Sequence, residues 1–280
     1  MNAYRLRNAL TYVVTVLILL FAIVITLGPV VWVALSSLKP THEIIRAVPT
    51  AFPSEVVWLH YQRLFSNTPF LSQLQNSIVV TVASTVLSVS IVMAAAIGAY
   101  RGRHKWLRNL KFVAILVFVF PTTLLVVPIY QVLVQIGLVD TLWSLVVVNC
   151  MLTAPFSFWL IEGFLDTVPG ELEDAAMVDG ATRIQTMLYV VLPLASPGVA
   201  VIAIYTFVIS WTEFTFSSVL IIDTNLKTLP MGLADILAAY NINWGLLTSN
   251  TTLAMVPGVL FFALVGRHFI SGLVSGALKA

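Results

Sequence analysis

Glu162, Asp166, Glu171, Glu173, Asp174 and Asp179 make up half of the chain's 12 Asp and Glu, and one base, Arg183, accompanies them. No histidine, cysteine or serine-nucleophile motif lies among them, so the cluster is not the makings of an acid–base pair or a triad. Acids ringing small apolar residues suit docking to a partner instead. One further carboxylate, Glu213, stands in an apolar run between Trp211 and Phe214. A carboxylate beside aromatic rings can hydrogen-bond and stack on a polar solute such as a sugar. The same residues can equally tie one helix to another, with Trp211 as an interface anchor. Tyr130, Gln131 and Asn149 carry the same two readings, contact with solute hydroxyls or adhesion between helices.

Several chemistries find no residues to perform them. There is no G-x-x-x-x-G-K-[ST] phosphate loop, so ATP has no P-loop site in this chain. No HExxH occurs, and His42, His60, His104 and His268 are scattered without metal-ligand spacing. Cys150 is the single cysteine, which rules out an intrachain disulfide. A formal charge of +2, without interleaved basic and aromatic residues, gives no nucleic-acid surface. Enzymatic activity and a bound cofactor are therefore not expected of this chain.

The elements that must position these residues follow from composition. Apolar residues make up 59% of the 280 and charged residues only 9%, against about 25% in an average soluble domain. Lipid must be the solvent for most of the chain. A helix crossing the hydrocarbon needs about 20 apolar residues, and the uncharged runs predict an all-α integral membrane protein of about six spans. They lie near 11–34, 75–99, 112–134, 141–162, 196–221 and 247–267, within a single domain of residues 1–280. The fifth must absorb Glu213. Pro121, Pro128, Pro155 and Pro257 are expected inside spans, as kinks that shape a vestibule or as packing adjustments.

Positive charge orients the spans. With the N-terminus inside, Arg5, Arg7, Arg101, Arg103, Lys105, Arg108, Lys111, Arg183, Arg267 and Lys279 are cytoplasmic, ten of the 14 Lys and Arg. Lys39, Arg46, Arg63 and Lys227 are outside. Both termini are then cytoplasmic, and RGRHKWLRNLK after the second span is the strongest anchor. The acidic stretch falls on the same cytoplasmic side, between the fourth and fifth spans, over residues 163–193. Here Asp166 or Thr167 can cap a helix whose first turn takes Pro169, Glu171 and Glu173. Leu172, Ala175 and Ala176 give it one small apolar face. Asp179-Gly180 should end it, because glycine suits the left-handed residue that closes many helices. A second amphipathic segment, Ala181–Leu192, runs to Pro193. The product is a helix pair beside the membrane, shaped for a partner's groove or lying as an ordinary interfacial pair.

The segment DAAMVDGATRIQTMLYVVLP resembles the EAA motif of ABC importer permeases: Glu-Ala-Ala, three residues, Gly, nine residues, then Ile-x-Leu-Pro. Asp174-Ala175-Ala176, Gly180 and Val190-Val191-Leu192-Pro193 match its spacing, with Asp174 for Glu and Val190 for Ile. SSLKPTHEI, QNSIVV, AAAIGAYRGR, FPTTLLVVPIY, SWTEFTFSSVLI and RHFISGLVSGALKA are similar to the carbohydrate-uptake branch, of the type of the smaller maltose permease. They cover nearly the whole chain in order.

That resemblance implies a cytoplasmic coupling helix between the fourth and fifth spans, with Glu173, Asp174, Ala175, Ala176, Asp179, Gly180, Leu192 and Pro193 meeting a separate ATPase dimer that binds ATP and Mg. It implies a second permease subunit, favours a heterodimer in which that partner carries most substrate contacts, and implies an extracytoplasmic binding protein met by Lys39–Pro69 and Asp223–Trp244. The tail Ser271–Ala280 is expected near the ATPase pair. The substrate is a sugar, a polyol or glycerol phosphate, and Trp211, Glu213, Phe214, Tyr130 and Asn149 are the candidates for its path. The alternative, a secondary transporter of a small polar solute, commonly shows inverted repeats; none is evident here, and only one intramembrane carboxylate is available to couple ions.

Overall fold

The computed structural model describes residues 2–99 and 118–277. The basic loop 101–111, residues 112–117 of the expected third span and Lys279 lie outside the described residues, as do the side chains of Arg5, Arg7 and Arg267. Every regular element among the described residues is helical. The principal helices are α1 (Asn2–Ser36), α2 (Leu59–Asn67), α3 (Phe70–Ala99), α4 (Val126–Gln135), α5 (Leu142–Leu165), α6 (Gly170–Val178), α7 (Ser196–Thr212), α8 (Leu229–Ala238) and α9 (Trp244–Ala277).

Four of them carry apolar stretches long enough to cross a bilayer: Leu10–Ser36, Phe70–Ala99, Leu142–Leu165 and Trp244–Gly266. A fifth crossing is present if Arg183–Leu194 and Ser196–Thr212, which meet at 71°, form one bent span. The expected third span departs from an unbroken helix. Pro121 is extended, a 3₁₀ turn follows at Thr122–Leu125, and only Val126–Gln135 continues as α-helix. Pro128 sits in the first turn of α4, where its missing N–H takes no bond from the helix. Pro155 and Pro257, by contrast, remain inside continuous helices.

The chain forms two compact units, Met1–Phe70 with Leu233–Met255, and Leu71–Gly232 with Val256–Ala280. In the first, none of the apolar window of α1 is buried, as expected of a helix whose solvent is lipid or another subunit. Its end is pinned. Lys39 is 2% exposed, and its ammonium donates to the Thr50 carbonyl at 2.6 Å and lies 4.5 Å from the centroid of the Trp32 ring. His60 Nε2 meets the Lys39 carbonyl at 2.9 Å, and the Ser37 and Tyr61 hydroxyls are 2.6 Å apart. Gly245 leaves the room that the buried His60 ring occupies. Lys39, read from sequence as one of the outer charges, is thus a buried tie.

The second unit holds two apolar clusters. One gathers Val80, Ile129, Leu133, Leu145, Phe216 and Leu220; the other gathers Val92, Ala96, Ile161, Leu165, Met187 and Val191. Between α3 and α5 runs a polar seam. The Ser88 and Thr153 hydroxyls are 3.0 Å apart, and the Cys150 thiol points at the Ser84 carbonyl at 3.6 Å. Because 84 faces 150 and 88 faces 153, the two helices run in the same direction. Hydroxyls let helices approach closely and bond across an apolar environment, at roughly 0.6 kcal/mol per bond on average. α5 and α7 approach closer still: a Cβ on Gly198 would lie 2.6 Å from Phe164 Cγ.

Candidate functional site

The acidic loop builds its helix as expected, except at the start. Pro169 is the N-cap of α6 and no side chain caps it; Asp166 instead ends α5, and the Thr167 hydroxyl donates to the Phe164 carbonyl at 2.7 Å. Proline fits because the first helical N–H groups have no intrahelical acceptor, and Glu171 and Glu173 sit in the first turn, where the dipole favours them. At the far end Gly180 has φ +91°. Its N–H donates to the Met177 carbonyl at 3.1 Å and that of Ala181 to the Ala176 carbonyl at 3.0 Å. This pair of bonds is the Schellman closure, which needs a left-handed residue at that position.

No residue of α6 is buried. Asp174, Ala175, Asp179 and Gly180 are exposed, Glu173 and Ala176 half-buried. Leu172, Met177 and Val178 also face outward, Val178 at 87% exposure. Among the described residues α6 packs only partly, against the segment that follows it, and its exposed Leu172, Met177 and Val178 leave apolar surface available to another molecule. The segment after α6 is rooted rather than loose. Thr182 and Gln185 form a reciprocal capping box, then Met187–Val191 makes a single π-helical turn. Met187 and Val191 are buried in the cluster with Val92, Ile161 and Leu165, and Leu192 packs against it while Pro193 is exposed. The bend itself falls two residues past Pro193, at Ala195. The segment following α6 is thus packed against side chains of α3 and α5.

Glu213 lies outside the helix that the apolar pattern extends to 221. α7 ends at Thr212, and Glu213 is its extended C-cap, with φ −66° and ψ 120°. Its two carboxylate oxygens accept N–H groups from Phe216 at 2.6 Å and Ser217 at 3.0 Å. The carboxylate thereby starts the helical turn Ser217–Leu220, satisfying backbone donors that have no other acceptor within the turn. Glu213 and Phe214 line a cleft of about 360 Å³ together with Phe118, Pro155, Tyr205 and Thr212. The carboxylate is bonded on the protein side, and the cleft wall beside it is aromatic. Behind it Phe156 lies between Phe118 and Tyr205, its ring tilted against both at centroid distances of 4.8 and 4.6 Å.

The other path candidates lie elsewhere. Trp211 stacks on Phe207 at 5.8 Å, and Phe207 on Phe261 at 3.9 Å. Tyr130 packs against the first apolar cluster, and Asn149 on α5 is 1% exposed, its Oδ1 without a hydrogen-bond partner. Tyr205 and Thr212 do not stand out in the sequence, although 205, 209 and 212 recur at the spacing of one helix face. Among the described residues no group of His, Cys, Asp and Glu is placed to hold a metal ion.

Comparison with known proteins gives the family and the fold. The family model described as "Binding-protein-dependent transport system inner membrane component" matches residues 89–274. The inner membrane ABC transporter permease protein YcjP of Escherichia coli is 30% identical over 259 residues, 92% of each chain. The diacetylchitobiose uptake system permease protein DasC of Streptomyces coelicolor is 31% identical over 261 residues, 92% of this chain and 95% of that one. Among solved structures, a bacterial ABC transporter that imports the acidic polysaccharide alginate superposes with a TM-score of 0.79 at 18% identity, over 94% of this chain and 98% of that one. A multi-pass helical chain matched by that model over residues 89–274, and 30% identical to a permease over 92% of both chains, belongs to the binding-protein-dependent inner membrane components, the permease subunits of ABC importers.

Proposed function

We propose that this chain is one of two permease subunits that form a translocation pathway for a sugar, or a related polyol or glycerol phosphate, by alternating access. A separate ATPase dimer, carrying the ATP and Mg, drives it. The single observation that carries the coupling half of this reading is α6: without a buried residue along its length, closed by Gly180 in a left-handed turn, and followed by side chains buried in the core. In this reading α6 is the coupling helix. Glu173, Asp174, Ala175, Ala176, Asp179 and Gly180 face the ATPase, and Leu192 and Pro193 hand its displacement to the membrane helices.

The chain has six spans, the third interrupted at Pro121, and both termini are cytoplasmic. The second subunit is a homologue, and the bare apolar face of α1 meets it or lipid. An extracytoplasmic binding protein delivers the substrate to the outer loops. The sugar assignment is supported by the diacetylchitobiose permease, 31% identical over nearly its full length. The cleft beside Glu213, with Tyr205 and Phe214 in its wall, is this subunit's part of the path.

The test is reconstitution with the second permease, the ATPase and the binding protein in lipid vesicles, with hydrolysis and uptake followed against a panel of sugars. Uptake that needs ATP and the binding protein, and hydrolysis stimulated by one sugar class, is the expected result. Uptake driven by an ion gradient with the ATPase absent would overturn the reading.

A further inference from the structure

Residues 220–229 leave the turn Ser217–Leu220 and enter α8 with only one 3₁₀ turn, Thr224–Leu226, of their own. A segment with so little internal bonding must find partners for its backbone in water or in its neighbours. Here the neighbours supply them. Asp140 Oδ1 accepts the N–H groups of both Ile222 and Asp223 at 2.8 Å, and the Asp140 N–H donates to the Leu220 carbonyl at 2.9 Å. Asn76 Nδ2 donates to the carbonyls of Asn225 and Lys227 at 2.8 and 3.0 Å. Ser77 Oγ accepts the Leu229 N–H at 2.8 Å. Asp223 closes the span between these anchors by accepting from the Asn225 N–H at 2.8 Å. At the end of the segment the Gln73 side chain fills the space that any side chain on Gly232 would need.

Two features separate this arrangement from incidental surface bonding. Asp140 holds φ +60°, the one non-glycine residue in the left-handed region among those described; aspartate tolerates that region better than most residues, but a site there persists only where its surroundings over-determine it. The anchors also come from two separate places, the start of α3 and the turn before α5, which are parallel in this unit. The segment is strapped to both.

We propose that Asp140, Asn76 and Ser77 are positioning residues that hold 220–229 as a rigid strap, so that the outer loop it opens is presented to the binding protein in one orientation. The strap's role rests on the proposed importer function, in which this loop lies outside and meets that protein. None of residues 220–229 lines the cleft beside Glu213 and none belongs to α6, so loss of the side-chain anchors on 222–229 acts on docking first.

The experiment uses the reconstituted four-protein complex and measures ATP hydrolysis against binding-protein concentration for Asp140→Ala, Asp140→Gly, Asp140→Asn and Asn76→Ala. Both strap N–H groups use the same Oδ1, so Asn keeps the acceptor and tolerates the backbone. Gly relieves the backbone and removes the acceptor, which keeps the test alive if the alanine variant fails to assemble. The half-saturating concentration should rise about tenfold for the Ala and Gly variants and stay within about twofold for Asn, with basal hydrolysis unchanged. Wild-type half-saturation in Asp140→Gly, or failure of Asp140→Asn to restore it, overturns the strap. Separately, Asn225→Cys should react with a membrane-impermeant thiol reagent from outside, Cys150 being buried. Protection from the outside, with labelling from the inside, would overturn the topology and the strap's role together.

Discussion

Replacing Gly180 separates two ways in which the α6 turn could fail. At φ +91° with nothing within 4 Å of a would-be Cβ, an added side chain meets no wall in this chain, and the cost is conformational alone. For an L-residue in the left-handed region it is about 1–2 kcal/mol, enough to lower the ratio of closed to frayed turn roughly 5- to 30-fold. Asparagine adopts that region more readily than alanine, so the order expected for the turn is Gly, then Asn, then Ala. Arginine should match alanine unless the ATPase surface is close. The assay is binding-protein-stimulated over basal hydrolysis in the reconstituted complex, with assembly checked by size-exclusion chromatography. Coupling that falls in the order Gly, Asn, Ala supports the turn as the transmitting element, and any extra loss in Gly180→Arg measures the tightness of the partner's groove. If Gly180→Ala and Gly180→Arg both couple like the wild type in an assembled complex, the loop does not transmit and α6 is not the coupling helix.

Three further outcomes are expected. Gly198→Ala places a Cβ 2.6–2.8 Å from Phe164 Cγ, Cβ and Cδ2, atoms near the backbone that cannot swing away; overpacking should cost about 1–3 kcal/mol, read as a lower melting temperature that Phe164→Ala partly restores, and an unchanged melting temperature would refute the α5–α7 contact. Glu213→Gln turns one acceptor oxygen into an NH₂ facing a backbone donor, for about 1–3 kcal/mol of local destabilisation; sugar uptake should fall with it, and a destabilised variant that transports normally would remove the carboxylate from the path. The Asp140 carboxyl is held below its ordinary value by the N–H groups of Asp223 and Ile222. Its folded value lies below its unfolded one, so its contribution is complete above the ordinary range near pH 4 and is lost as pH falls through the lowered value. Hydrogen exchange of residues 220–229, corrected for intrinsic rate, should show no loosening from neutral pH down to about 4 and a step below it that Asp140→Asn abolishes.

Whatever depends on composition and short spacing was legible in the sequence. Runs of uncharged apolar residues fall on the apolar stretches of α1, α3, α5 and α9, because a helix in lipid needs only its own residues to satisfy its backbone. The Asp-Ala-Ala…Gly pattern located α6 and its left-handed closure, both local matters of dipole and φ. Features that depend on residues far apart in the chain were decided by the tertiary structure. α7 stops at Thr212 because the Glu213 carboxylate turns to cap the next turn, a choice that the apolar pattern of 196–221 does not record. Lys39 counts in the sequence only as a charge on the outer side, and nothing there records that it is buried against the Thr50 carbonyl and Trp32 ring. The side-chain bonds of Asn76 and Asp140 to the strap span sequence separations of 82 to 151 residues. No periodicity encodes such pairs. They exist only once α3 and α5 lie side by side and bring a polar helix start and a strained turn to the same end of the unit.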